Sequence, residues 1–311
     1  MYHYVRPFDK NYPNLKILTF DNFKRQLDYF QNEFGFVSKN EFIKSLETGK
    51  PKKGVILTFD DAFSCHYNFV FKELKKRGLW AIFYISSQPY IQGRLLDVHR
   101  THLLLAKFES KIIFDALNKE IDKFMFDKSR FSEFKSLTYT NQINDKYTLL
   151  VKRALNYYIS YEYREHALNK LMLKFIPNEK EILQDFYLTK GQILKMHENG
   201  IIIGSHTVNH PVMSRLNEKD KLFQIKSSFN FLENLVKQFH HKTSCYPYGG
   251  FHSFTNQTEV MLSEEKCMYS FNVEDRDIEE VDLRFTKQAL PRYDCDQFSF
   301  GYTRNPDRII S

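Results

Sequence analysis

The sequence predicts an α/β fold whose strands lie parallel and close, or nearly close, into a barrel, interrupted by a long helical insertion. Three observations predict it. Short apolar runs rich in β-branched and aromatic residues (Val55 to Phe59, Trp80 to Ile85, Ile201 to Ile203, Thr243 to Tyr246, Met268 to Phe271) alternate with amphipathic helical segments, the order from which parallel sheets are built. Chemically active side chains gather where such runs end: Asp60 and Asp61 after the first, His206 and His210 after the third. Between Pro89 and Phe186 the alternation stops and the pattern is helical throughout.

Taken in order, an extended stretch near Leu15 to Phe20 precedes a helix from about Asn22 to Phe34, where Phe23, Leu27, Phe30 and Phe34 mark one face. Gly35 stops it; a short strand at Phe36-Val37 and a helix from Asn40 to Leu46 follow. The run ending at Asp60-Asp61, a helix from about Tyr67 to Arg77 and the Trp80 to Ile85 run form a βαβ unit. The insertion offers helices at Leu95 to Phe108, Ile112 to Phe126, Thr148 to Tyr158 and Tyr161 to Phe175. The α/β pattern resumes at Thr189, a helix cap, and continues through a long helix from Glu218 to Phe239, the Pro247-Tyr248-Gly249-Gly250 turn, a helix near Gln257 to Leu262 and a last strand near Gln288 to Leu290. Two domains follow: 1–88 with 187–311 as the barrel, and 89–186 as the insertion and a candidate lid.

With 311 residues, 42% of them hydrophobic, the chain can bury a large core, which excludes disorder. Its four cysteines, Cys65, Cys245, Cys267 and Cys295, form no C-x-x-C pair and are expected as reduced thiols. No apolar stretch approaches the roughly 20 residues of a membrane span, and the first residues lack the apolar region of a secretory signal, so the expected compartment is the cytoplasm. A net charge of +7 and a pI near 9.0 suit an anionic small substrate, such as a nucleotide-linked or lipid-phosphate-linked sugar. Neither zinc-finger spacing nor an RNP-like aromatic motif supports nucleic acid, and the Lys72, Lys75, Lys76, Arg77 cluster reads as a solvated helix face.

One aspartate at a strand-to-helix turn reads most simply as a helix cap, but Asp60 and Asp61 are two in a row after a buried run. Two close carboxylates can divide labour, one staying ionised to hold a metal while the other acts as a base. Gly204-Ser205-His206-Thr207-Val208-Asn209-His210-Pro211 occupies the equivalent position after its own strand. Two imidazoles four residues apart also occur on helix surfaces. Joined to a carboxylate at one barrel mouth, they give three ligands and an open position, a donor set suited to zinc or another divalent transition metal.

These residues resemble the polysaccharide deacetylases of the NodB-homology type, carbohydrate esterase family 4. The resemblance is carried by Thr58-Phe59-Asp60-Asp61, by His206-Thr207-Val208-Asn209-His210-Pro211 and by Tyr246-Pro247-Tyr248-Gly249, and it covers roughly 15–88 and 187–295, leaving the insertion outside. It implies a distorted (β/α) barrel of about seven strands. It further implies Asp60 as catalytic base, Asp61, His206 and His210 as ligands of a divalent metal, zinc foremost, and Tyr248 on the loop whose backbone amide helps hold the oxyanion. The implied reaction is hydrolysis of an N-acetyl or similar small acyl group from an amino sugar of a surface-glycan precursor.

This chain departs from the family pattern twice. Cys245 stands where many members have an arginine, and no Leu-x-His follows late in the chain. Leu290-Pro291-Arg292 looks like the Leu-Pro-Arg of branches lacking the usual arginine, so Arg292 is a candidate cation beside Asp60, with a surface pair to Asp294 or Asp296 as its plain alternative. His66, His99, His102 and His252 are the candidates for the missing general acid. His99 and His102 share a helix face and are the leading pair, with His252 next as an acid or substrate-binding group. A deacylase of a non-sugar amide and a catalytically inactive carbohydrate-binding barrel are the alternative functions.

Overall fold

Five strands, β1 (Thr58–Phe59), β2 (Ile82–Ile85), β3 (Ile202–Ser205), β4 (Thr243–Cys245) and β5 (Tyr269–Phe271), form one sheet in chain order, with every neighbouring pair parallel. The computed structural model describes residues 1–140, 142–237 and 239–302. Its contacts divide the chain into a barrel unit (Met1–Phe8, Ile17–Gln92 and the chain from Asp185 onward) and a helical unit (Asp9–Lys16 and Gly93–Gln184).

Backbone bonds at both edges carry the sheet further round. At one edge Tyr2 pairs in parallel with Phe59, its N–H donating to the Thr58 carbonyl while the Asp60 N–H donates back to Tyr2. At the other, Leu290 pairs with Phe271, and the segment that follows reaches Met1 through a Cys295 N–H to Met1 carbonyl bond. The barrel expected from the sequence is thus five regular strands plus two irregular pieces. The predicted strand at Gln288 to Leu290 is instead a 3₁₀ turn over Lys287–Ala289 that delivers Leu290 alone to the sheet.

Alternation along the strands sorts their side chains. Ile82, Tyr84, Ile202, Cys245, Tyr269, Phe271 and Leu290 pack into one cluster, while Phe59, Phe83, Ile85, Ile201 and Ile203 pack with the surrounding helices in another. Gly204 is required by this arrangement: a Cβ there would stand 2.5 Å from the Tyr84 ring and 2.8 Å from Thr243. The helices follow their local caps. Thr19 accepts from the Asn22 N–H and starts Phe20–Glu33 two residues early; a Ser38/Glu41 capping box, not Asn40, starts Lys39–Thr48. The helix after the acid pair opens as a π turn over His66–Phe71 and continues as Lys72–Lys76. The long helix ends at Leu235, short of the predicted Phe239.

The helical unit contains Asp97–Lys107, Ser110–Glu120, Phe131–Leu137, Lys146–Arg153 (continuing as a π turn over Ala154–Tyr158) and Tyr161–Phe175. The helix predicted to run to Phe126 stops at Glu120 because its end is used elsewhere: Phe126 bridges Ile159, and Ser160 donates to the Met125 carbonyl. Inside this unit buried Arg100 forks onto Glu179 at 2.7 Å from both oxygens. All four cysteines are buried free thiols. Among the described residues no helix is long and apolar enough to cross a membrane.

Candidate active site

The strand register that fills the barrel also builds the site. Asp60 lies two residues beyond Thr58, His206 two beyond Gly204, and Arg292 two beyond Leu290, so each continues an inward-facing row past the end of its strand. All three are buried. Arg292 donates from Nη1 to Asp60 Oδ1 at 3.0 Å and from Nη2 to Asp60 Oδ2 at 2.9 Å, a bidentate pair. Its other donors reach Thr58 Oγ1 at 3.0 Å, the Asn272 carbonyl at 3.1 Å and Cys245 Sγ at 2.7 Å. Burial alone would push the Asp60 carboxyl up; Arg292 and, to a lesser degree, His206 hold it well below the usual carboxylate range. The Cys245 thiol, pushed up by burial, stays protonated.

Beside this pair, Asp61 Oδ1 lies 3.6 Å from Nε2 of both His206 and His210. The His206 tautomer follows from its other nitrogen: Nδ1 is 2.8 Å from the Cys245 carbonyl, which only accepts, so Nδ1 carries the proton and the Nε2 lone pair faces Asp61. Burial lowers the His206 pKa and favours that neutral form. Among the described residues, two sets of side chains have donor atoms close enough to share an ion, Asp61/His206/His210 and Asp60/His206/Cys245. Charge decides between them, because the Arg292 guanidinium already lies against Asp60 and Cys245 and repels a second cation there. The Asp61 set is one carboxylate and two imidazoles, a donor set that fits a divalent metal.

Strained turns aim these groups. Asp61, Thr207, His210 and Tyr248 have φ of 77°, 66°, 57° and 67°, left-handed values that cost a non-glycine residue about 1 kcal/mol or more each. The histidine loop is held in compensation. Gln224 Oε1 accepts the Val208 and Asn209 N–H groups at 3.0 and 3.2 Å, Thr207 Oγ1 accepts the His210 N–H, and Gln88 donates to the Val208 carbonyl. The Tyr248 and His210 rings meet in a T-shaped contact, with centroids 4.7 Å apart.

Of the candidate acids, His252 lies on the loop after Tyr248, where its carbonyl accepts from Ser214 Oγ. His66 is fully buried under the acid pair. His99 and His102 belong to the helical unit, on Asp97–Lys107, with rings 5.9 Å apart and His99 fully buried. Sequence reasoning missed a third histidine beside the acids: His3 Nε2 is 4.0 Å from Asp61 Oδ2, with its side chain 39% exposed. A signal was present, since Tyr2-His3-Tyr4-Val5 alternates as an edge strand does. Gln224 was missed as well, because nothing local links it to a loop 15 residues upstream.

Residues 153–263 match the family model described as polysaccharide deacetylase, a span that holds His206, His210 and Tyr248, begins inside the segment the motifs left outside the resemblance, and does not reach Asp60. Among solved structures, the chain is similar to the Streptococcus pyogenes deacetylase PplD in complex with acetate, at 17% identity and TM-score 0.56, covering 94% of this chain and 88% of that one. It is similar also to a de-N-acetylase from Aggregatibacter actinomycetemcomitans, at 14% identity and TM-score 0.51, covering 94% and 92%. Likeness at such identity speaks to the fold. None of the curated proteins compared matches the chain. By the family match over 153–263 and by its NodB-like distorted (β/α) barrel fold, the chain resembles the polysaccharide deacetylases of the NodB-homology type. Its class is that of sugar N-deacetylase-like hydrolases, which act on carbon–nitrogen bonds.

Proposed function

We propose that this protein hydrolyses an N-acetyl or similar small acyl group from an amino sugar of a surface-glycan precursor, with a divalent metal, zinc foremost, held by Asp61, His206 and His210. The observation that carries the reading is the pairing of an ionised, arginine-clamped Asp60 with an adjacent carboxylate–bis-imidazole cluster. When bound, the metal supplies Lewis acidity to water and to the acyl carbonyl.

The chain's own groups account for the protons. Asp60, kept as a carboxylate by Arg292, accepts a proton from the attacking water. His3, beside Asp61 and open to solvent, gives a proton to the leaving nitrogen; we assign donation to it rather than to His99 or His102 because it lies against the acid pair within the barrel unit itself. The backbone N–H groups around Tyr248 donate to the developing oxyanion, and His252 on the same loop contacts substrate. The amide and one water leave as a free amine and a carboxylate.

A nucleotide or lipid phosphate on the substrate, supported by the net charge of +7, and action in the cytoplasm are the finer parts of the proposal. So is the assignment of 89–186 as a functional unit separate from the barrel. The test is amine and acetate release from N-acetylglucosamine oligosaccharides, before and after chelation and zinc return. Release that is absent, or unaffected by chelation, refutes the metal-dependent deacetylase.

A further inference from the structure

His66 spends a polar side chain in an apolar place. It is fully buried, with its ring edge-on to Phe59, Phe63 and Phe83 at centroid distances of 5.6, 5.6 and 5.5 Å. Phenylalanine or leucine would pack among these rings without polar cost, whereas imidazole brings two nitrogens, each costing about 1–3 kcal/mol if left unmet in the interior. One is unmet: Nδ1 has no hydrogen-bond partner. The other, Nε2, lies 2.7 Å from the backbone carbonyl of His3 and donates to it, since a carbonyl only accepts. The satisfied nitrogen of this side chain is thus directed at the backbone of the histidine beside Asp61.

The rest of the N-terminal segment is fixed by its own pairings. The Tyr2 N–H and carbonyl bond to the Thr58 carbonyl and the Asp60 N–H, and the Tyr4 ring stacks on Phe63 at 4.0 Å while its carbonyl accepts from Leu18. His3 stands between them with its imidazole 4.0 Å from Asp61, and its carbonyl is held by the helix that starts a few residues after Asp61. We propose that His66 is a positioning residue: through the His3 carbonyl it fixes the backbone from which His3 delivers its proton to the leaving nitrogen. This rests on the reading of His3 as the proton donor.

Leaving-group dependence tests it. An N-acetyl amide needs a proton on its departing nitrogen, whereas p-nitrophenyl acetate releases a phenolate that departs unprotonated. His66→Phe fills the same pocket without the N–H. It is expected to bind metal as wild type does, to keep KM for N-acetylglucosamine oligosaccharides, and to lose about tenfold to a hundredfold in kcat on them, the scale of a small misplacement of a catalytic group, with turnover of p-nitrophenyl acetate nearly unchanged. Wild-type kcat on the amide, or an equal loss on amide and ester, overturns the inference. If His66→Phe does not fold, His66→Gln and His66→Leu decide it: glutamine, which keeps an N–H, should hold the amide-to-ester ratio that leucine lowers, and equal ratios overturn the inference. His3→Gln separates the two readings. Wild-type amide turnover in that variant refutes His3 as donor, whereas an impaired His3→Gln beside an unimpaired His66→Phe refutes only the positioning role.

Discussion

Arg292 clamps Asp60 across 232 residues of chain, one nitrogen to each carboxylate oxygen, inside the barrel. The pair explains how a chain with Cys245 in place of the family's arginine still presents an ionised aspartate. The cation arrives from the segment after β5, and Cys245, small and neutral, leaves room for it at 2.7 Å.

Removing that cation should hurt stability and turnover together. Arg292→Met leaves a buried carboxylate unpaired, which costs about 3–5 kcal/mol, and raises the Asp60 pKa. Denaturant unfolding and amine release should both fall while metal content, measured by mass spectrometry, stays stoichiometric. A variant of wild-type stability would show that the pair does not act as a buried ion pair.

Cys245→Arg alone should also be harmful, because it forces a second guanidinium against the first. Combined with Arg292→Ala it should be less harmful than either change alone, since one cation then serves one carboxylate. Activities of the two single variants and the double variant check this; simple additivity contradicts a shared pocket.

The two acids should separate by metal content. His206→Ala is expected to lose both bound metal and activity. Asp60→Asn should keep the metal and lose on the order of a hundredfold or more in kcat, because an amide cannot take the water's proton. Loss of metal in Asp60→Asn would reverse the roles assigned to the pair.

Gln224→Leu removes the acceptor shared by the Val208 and Asn209 N–H groups without touching a ligand. Outer partners of this kind are worth about 10–100-fold in metal affinity. Titration with a competing chelator measures that change, and unchanged affinity would leave Gln224 with a packing role only.

Acid should weaken the fold through His66. Burial pulls its pKa from 6.5 down to about 4, so the unfolded chain takes up a proton that the folded chain refuses. Its contribution to stability is complete above about pH 6.5 and is lost as pH falls toward 4, a change of roughly 3 kcal/mol. Burial shifts His206 in the same direction. Asp60, with its pKa lowered, adds a loss only below the ordinary carboxylate range. With chelator present, the thermal midpoint should fall between pH 7 and pH 4.5, and by less in His66→Phe; an equal fall in both would remove His66 as the cause.

The sequence by itself determined what local rules can carry. Short continuous apolar runs and period-3.6 helices marked the α/β alternation and the change to helices after Pro89, and the ends of the first and third of those runs placed Asp60, Asp61, His206 and His210 at strand ends. These signals fit within a few residues, so a single sequence displays them. Only the tertiary structure decided which groups meet. It brought Arg292 to Asp60 rather than to Asp294 or Asp296, set His3 against Asp61, directed His66 onto the His3 carbonyl and assigned Gln224 to the histidine loop. It also ended the helix predicted to reach Phe126 at Glu120, through a pairing with Ile159 that no local pattern encodes. The physical reason is closure: backbone bonds from Met1 to Cys295 and from Tyr2 to β1 join segments nearly the whole chain apart, and periodicity carries no information across such a separation.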